Sequence, residues 1–146
     1  MPIRYSLICF FICCTMPMKP IFANEMLKGP VHAEVLRIID GDTIDVRAQI
    51  WIGQSLQTRV RLAKIDAPEL RGRCAKEKKL AQRAHHYLAQ RLENPTVILK
   101  NIQLGKYGGR ILAEVETAKG ENLAELLLQN GLARPYLGQK RTQWCR

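Results

Sequence analysis

Short segments rich in β-branched and aliphatic residues follow one another along the chain, and their order restricts the fold more than any other feature. Three of them run in succession, at residues 33–40, 43–52 and 56–65. Gly41 and Gly53 interrupt the apolar pattern between them, as turn residues do. The sequence therefore predicts a three-stranded meander.

Alternation along this meander predicts which side chains face the core. In the second segment the alternate apolar positions share one face: Ile44, Val46, Ala48, Ile50 and Ile52. In the third segment the expected core residues are Leu56, Val60 and Leu62, while Arg59, Arg61 and Ala63 point the other way. One face of the predicted sheet is thus apolar, and the other carries arginines.

The remainder of the chain adds helices and a second strand pair. Leucines and alanines at helical spacing predict a helix over residues 75–93. Strands are predicted at 96–102 and 110–115, and a final helix begins at Asn122 and ends at Asn130–Gly131. This order predicts a mainly β fold with helices (α+β), namely a five-stranded OB barrel with one helix between strands three and four and a short helix after strand five. An open α+β sheet is the competing architecture.

The N-terminal residues have the pattern of a secretory signal peptide. Arg4 precedes a short apolar run at residues 5–14, and Ala23 provides a small residue at the expected cleavage point. The alternative is an uncleaved membrane anchor, although the run is shorter than the about 20 residues that cross a bilayer. We therefore expect a signal peptide at 1–23, a domain at 24–146, export to the periplasm or medium, and no stable membrane association after cleavage.

The net charge points to an anionic partner. The chain has 23 Lys and Arg against 13 Asp and Glu. Cleavage after Ala23 removes Arg4 and Lys19 and no acid, which leaves 21 basic residues and a net charge of +8. Nucleic acid is the commonest polyanion for so basic a domain, although acidic surfaces bound by an adhesion protein would also fit.

Two cysteines remain after the leader is removed, Cys74 and Cys145. In an exported protein, two cysteines predict one disulfide. Two free thiols are the alternative.

The residues suited to catalysis gather at three predicted turns. IDGDT at 39–43 places Asp42 after a glycine, and VRLAKIDAPE at 60–69 combines Arg61, Asp66 and Glu69. KYGGRILA at 106–113 places Arg110 after a glycine turn. Two acids on a proline-held turn suit a hard cation with oxygen ligands, Ca²⁺ or Mg²⁺. Taken singly, each segment also fits an ordinary surface turn.

Together and in this order, the three motifs resemble the staphylococcal nuclease (thermonuclease) family over about residues 35–136. The resemblance implies a secreted Ca²⁺-dependent nuclease that hydrolyses DNA and RNA and leaves 3′-phosphate ends. Asp42 and Asp66 match the calcium-binding aspartates of the family, and Ala67 stands where a backbone carbonyl binds the ion. Ala67 replaces a residue that is often threonine, which matters little if only the carbonyl binds.

The same resemblance assigns the catalytic groups. Glu69 matches the acid proposed to activate water, and Arg61 and Arg110 match the two arginines that hold the scissile phosphate. Tyr107 and Tyr136 could stack on a base or sugar, or pack against the barrel.

One departure affects Arg110. The turn before it has two glycines, Gly108 and Gly109, where the best-known member has one, so the reach of Arg110 depends on how the extra residue is absorbed.

Two other functions remain open at this point. An OB barrel that binds nucleic acid without cutting it would need no acids, and an adhesion protein would explain the charge but not the acidic cluster. Trp51 and Trp144 are interpreted as packing residues, and nothing in the sequence requires more than a monomer.

Overall fold

A computed structural model describes residues 26–105 and 108–145 of the chain. The predicted signal peptide at 1–23 lies outside the described residues, and so does Tyr107. The strands and helices of the described residues are β1 (Met26–Leu27), β2 (Val31–Asp40), β3 (Thr43–Trp51), β4 (Gln54–Leu62), β5 (Ile65–Asp66), α1 (Ala75–Arg91), β6 (Thr96–Leu104), β7 (Arg110–Thr117), α2 (Leu123–Gln129) and β8 (Arg134–Pro135).

Five of these strands close into a barrel. β2, β3 and β4 form the antiparallel meander that the sequence predicts. β4 then pairs in parallel with β7, β7 pairs antiparallel with β6, and β6 returns to β2. This closed order is that of a five-stranded OB barrel, so the predicted fold class is confirmed and the open sheet is excluded.

The barrel interior is filled by the predicted apolar face. Ile44, Val46, Val60 and Leu62 are fully buried, and helix α1 packs its apolar stripe, which includes Leu88, against the same core. The predicted helix over 75–93 is thus found at Ala75–Arg91. The core fixes the strand ends, from which the turns with the candidate site residues emerge.

The prediction that the core face extends to the end of the β3–β4 hairpin is wrong. Ile50, Ile52 and Leu56 are 57%, 88% and 53% exposed. β2 pairs with β3 only as far as Ala48, so the end of the β3–β4 hairpin projects beyond the barrel. Apolar residues still alternate along the sequence there, but no other described strand of the barrel lies opposite them.

The third strand also ends earlier than predicted. It stops at Leu62 because Lys64 adopts a left-handed backbone conformation, with φ of 66°. The chain then continues as the short strand β5, which pairs with β8 so that Asp66 lies opposite Arg134. This pairing brings the C-terminal segment next to the second predicted site turn.

The final helix follows its predicted signals closely. The Asn122 side chain caps α2 by accepting from the backbone N–H groups of Ala124 and Glu125, and Gly131 ends it with φ of 64°. Neither helix in the described part of the chain is long and apolar enough to cross a membrane.

Candidate active site

The three predicted site turns meet at one side of the barrel. Asp42, Arg61, Glu69, Arg110 and Tyr136 line a cavity of about 620 Å³. Asp66 and Ala67 line an adjoining cavity of about 390 Å³, and Glu69 belongs to the walls of both. The structure therefore brings together the predicted site residues that it describes.

Asp42 is buried and firmly held. Its Oδ2 accepts hydrogen bonds from Arg61 Nη1 at 2.6 Å and from the backbone N–H of Ala67 at 3.1 Å. Its Oδ1 accepts from the Thr43 hydroxyl at 2.8 Å. These contacts join the first site turn to the second and leave the Asp42 carboxylate little freedom to rotate.

Gly41 allows this turn to approach the rest of the fold. A Cβ atom at Gly41 would lie 2.9 Å from the Cβ of Ala84 on α1 and 3.0 Å from the Cβ of Ala67. Only glycine fits between these two side chains without displacing them. The glycine before Asp42 therefore has a packing role that the sequence pattern did not indicate.

Arg61 connects the two aspartates. It extends from β4 with its side chain 11% exposed. While Nη1 binds Asp42, Nη2 donates to the Ile65 carbonyl at 3.1 Å and lies 3.5 Å from Asp66 Oδ1. The planar guanidinium is thus fixed between two carboxylates, where it can present its remaining N–H groups to an anion.

Glu69 is exposed at the edge of the cavity, on a loop that side chains of α1 and β2 hold in place. Buried Glu77 of α1 accepts from the backbone N–H of Arg73 at 3.0 Å and lies 3.5 Å from the backbone nitrogen of Glu69. Asp40 accepts from the backbone N–H of Leu70 at 3.1 Å. Glu77 is a structural support for this loop that sequence reasoning missed, since a single acid in a helix has no distinguishing pattern.

Arg110 remains at the cavity despite the extra glycine. It is the first residue of β7 and lies opposite Arg59 of β4 in the parallel register. The Gly105 N–H donates to the Arg110 carbonyl at 3.1 Å, and Gly109 takes φ of 83°. The strand register of Arg110 is therefore fixed by its pairing with β4 and β6.

Asp45 lies outside the site, although it follows Asp42 by only three residues in the sequence. Its carboxylate pairs with Arg59 at 2.7 Å and with Arg37 at 2.8 Å on the outer face of the barrel. The hydrogen bond from Arg59 holds the pKa of Asp45 below its ordinary value, and the one from Arg37 adds to this effect.

Two residues of the C-terminal segment reach the site and were not predicted there. Arg141 places Nε 3.2 Å from Asp66 Oδ1 and Nη1 3.3 Å from Glu69 Oε1. Burial opposes the charge of Arg141, but the carboxylates of Asp66, Asp42 and Glu69 outweigh burial and raise its pKa. Trp144 donates its indole N–H to Asp66 Oδ2 at 3.3 Å.

Sequence reasoning assigned Trp144 to packing, and that assignment is incomplete. The residue is indeed 9% exposed, but it also contacts a site carboxylate. The sequence feature that came nearest to indicating this contact was the adjacent Cys145, which was predicted to form a disulfide. The structure bonds Cys145 to Cys74, with their Cα atoms 5.9 Å apart.

The donor set around the two aspartates fits a hard divalent cation. It consists of carboxylate and carbonyl oxygens, which Ca²⁺ and Mg²⁺ prefer, and no histidine lines either cavity among the described residues. Cys74, Glu77 and Cys145 also lie close together and are metal-ligating residue types, but the two sulfur atoms are bonded to each other and offer no thiolate. The arginines supply the matching charge for a phosphate.

Known proteins resemble this chain over most of its length. A sequence model of the family described as staphylococcal nuclease homologue matches residues 59–144. An Escherichia coli protein named an uncharacterized endonuclease is 30% identical over 116 residues, which cover 80% of this chain and 68% of that protein. A Shigella flexneri protein named micrococcal nuclease is 34% identical over 113 residues, which cover 72% of this chain and 58% of that protein.

The family match includes more than half of the chain, with Arg61, Asp66, Glu69 and Arg110 inside it. Asp42 precedes the matched segment and is tied to it by the contacts with Arg61 and Ala67. The named relatives support a nuclease function. The chain belongs to the staphylococcal nuclease homologue family.

Proposed function

We propose that this chain is an exported, Ca²⁺-dependent nuclease that hydrolyses phosphodiester bonds in DNA and RNA and leaves 3′-phosphate ends. The observation that carries the proposal is the pair of buried aspartates, Asp42 and Asp66, held on either side of Arg61, with each aspartate lining one of two adjoining cavities. A barrel that only bound nucleic acid would not need buried acids facing a phosphate site.

The two aspartates and the Ala67 carbonyl would hold the cation. When bound, Ca²⁺ supplies positive charge that neutralises the phosphodiester and orients it. Both carboxylates are buried, 4% exposed for Asp42 and 6% for Asp66, and both have guanidinium partners, which Arg61 and Arg141 provide.

The arginines would bind the phosphate. Charge on the phosphoryl oxygens increases toward the transition state, and guanidinium groups that are already fixed in place stabilise it without reorganisation. Arg61 is fixed by its carboxylate contacts, and Arg110 lines the same cavity from β7.

Glu69 would orient the attacking water or accept its proton, as its exposed position at the rim allows. Tyr136 lines the cavity and would contact a sugar or base there. Tyr107 is proposed for the same role from the resemblance alone.

Export is proposed from the signal-peptide pattern of residues 1–23. A monomer is proposed because nothing in the sequence requires a second copy. The net charge of +8 after cleavage supports a polyanionic substrate.

The test is cleavage by the protein purified after export. Supercoiled plasmid and RNA should both be degraded with Ca²⁺ and remain intact with a chelator, and the DNA ends should be extended by a polymerase only after phosphatase treatment. Asp42→Asn should abolish cleavage, whereas Asp45→Asn, three residues away on the outer face, should not. Retention of both nucleic acids without cleavage in Ca²⁺ would instead favour the binding module.

A further inference from the structure

Both oxygens of the Asp66 carboxylate are held, and by different residues. Oδ1 lies 3.5 Å from Arg61 Nη2 and 3.2 Å from Arg141 Nε. Oδ2 accepts the indole N–H of Trp144 at 3.3 Å. Arg61 is the residue that also binds Asp42, so Oδ1 is the oxygen on the side that the two aspartates share.

Trp144 is itself fixed from two directions. The Arg134 guanidinium lies 3.7 Å from the centre of its ring, and the same guanidinium donates to the Thr142 hydroxyl and the Gln143 carbonyl at 3.1 and 3.2 Å. Arg134 belongs to β8, which pairs with the strand that carries Asp66. The residue after Trp144 is bonded to Cys74.

We propose that Trp144 is a positioning residue for the metal site: its indole N–H holds Oδ2 of Asp66 and thereby keeps Oδ1 turned toward Asp42 for cation binding. This inference rests on the proposed Ca²⁺-dependent nuclease function. Without the indole N–H, the Asp66 side chain can rotate away from the orientation in which it binds the cation. Restoring that orientation costs free energy, which weakens cation binding.

The chain has two tryptophans, which provide a matched pair of variants. Trp144→Phe keeps an aromatic ring under Arg134 and removes the N–H donor. Trp51→Phe changes the other tryptophan, which is 73% exposed at the end of the β3–β4 hairpin. Thermal denaturation of both variants and the parent checks that each is folded.

Calorimetric titration with Ca²⁺, in the absence of nucleic acid, is the first measurement. Loss of a residue that hydrogen-bonds to a metal ligand weakens metal binding by about 10-fold or more. Trp144→Phe should therefore raise the Kd for Ca²⁺ by that factor. Trp51→Phe should bind as the parent does. In cleavage assays, Trp144→Phe should need more Ca²⁺ and recover most of the parental kcat at saturation, which a general structural defect would not produce.

Terbium luminescence tests the placement without altering Trp144. Tb³⁺ binds oxygen ligands, and a nearby indole sensitises its emission. A cation on Asp66 is adjacent to Trp144, so Trp51→Phe should retain the emission that follows tryptophan-selective excitation, and Ca²⁺ should displace it. Even if Trp144→Phe does not fold, the absence of this emission would overturn the proposal, because the cation would then not lie beside Trp144.

The outcomes separate the two proposals. A parent that cleaves with Ca²⁺ while Trp144→Phe has an unchanged Kd, or while Trp51→Phe gives no sensitised emission, overturns the role of Trp144 alone. A parent that binds neither Tb³⁺ nor Ca²⁺ overturns the proposed metal-dependent function, and the role of Trp144 with it.

Discussion

Replacing both Cys74 and Cys145 by serine should lower the free energy of unfolding by about 4 kcal/mol. The two residues are 71 positions apart in sequence, so their bond closes a long loop in the unfolded chain. For a loop of this length the chain-entropy relation gives about 15 cal/mol/K, or about 4 kcal/mol at 25 °C, as an upper value. In a domain of this size such a loss lowers Tm by roughly 10–20 °C.

Urea denaturation and calorimetry of the parent and the double serine variant measure this difference. The matched control is reductant: it should destabilise the parent to the level of the variant and leave the variant unchanged. Mass spectrometry after alkylation gives the thiol count of the exported parent. Equal urea midpoints for the two proteins, or two alkylatable thiols in the parent before reduction, would refute the reasoning.

The remaining predictions concern single residues at the site. Arg110→Ala should lower kcat/KM by about 10²-fold or more, because a donor to the developing charge is lost. The control is Arg59→Ala, which changes the residue opposite Arg110 in the β4–β7 pairing. Equal rates for the two variants would contradict the assignment of Arg110. Glu69→Gln should lower kcat while the KM for DNA changes little, and steady-state kinetics would disprove this if KM alone rises. Gly41→Ala should lower the free energy of unfolding, measured by urea denaturation, by about 1–3 kcal/mol because the added methyl group overpacks against α1. It should also reduce activity, because the next residue is Asp42. A variant as stable and active as the parent would show that α1 shifts freely to make room.

Much of the barrel could be predicted because its strands are bounded by local signals. Gly41 and Gly53 separate three alternating segments, and Asn122 supplies both the residue and the geometry of a helix cap. Alternation, however, reports only which residues share a face. It could not show that Ile50 and Ile52 lie past the end of the barrel, because that depends on where the neighbouring strand stops pairing.

The candidate site, like the barrel, could be predicted only in part. Asp42, Arg61, Asp66 and Glu69 stand in motifs that the family resemblance identifies, and the structure places them around shared cavities. Their catalytic roles stay predictions for the assays above.

Arg141 and Trp144 could not be located from the sequence. Their position depends on the pairing of β5 with β8, and a two-residue strand has no periodicity to detect. Similarly, the turn at Lys64 depends on a left-handed conformation that a lysine does not signal.

The parallel pairing between β4 and β7 also determines when the candidate site can be assembled. Arg61 lies on one side of this pairing and Arg110 on the other, and two further contacts to Asp66 come from Arg141 and Trp144, which follow both strands in the chain. The complete set of site contacts therefore exists only after the chain has been made as far as Trp144 and the barrel has closed. A partly synthesised chain that ends before Arg141 therefore lacks these contacts to Asp66 and does not contain the assembled site.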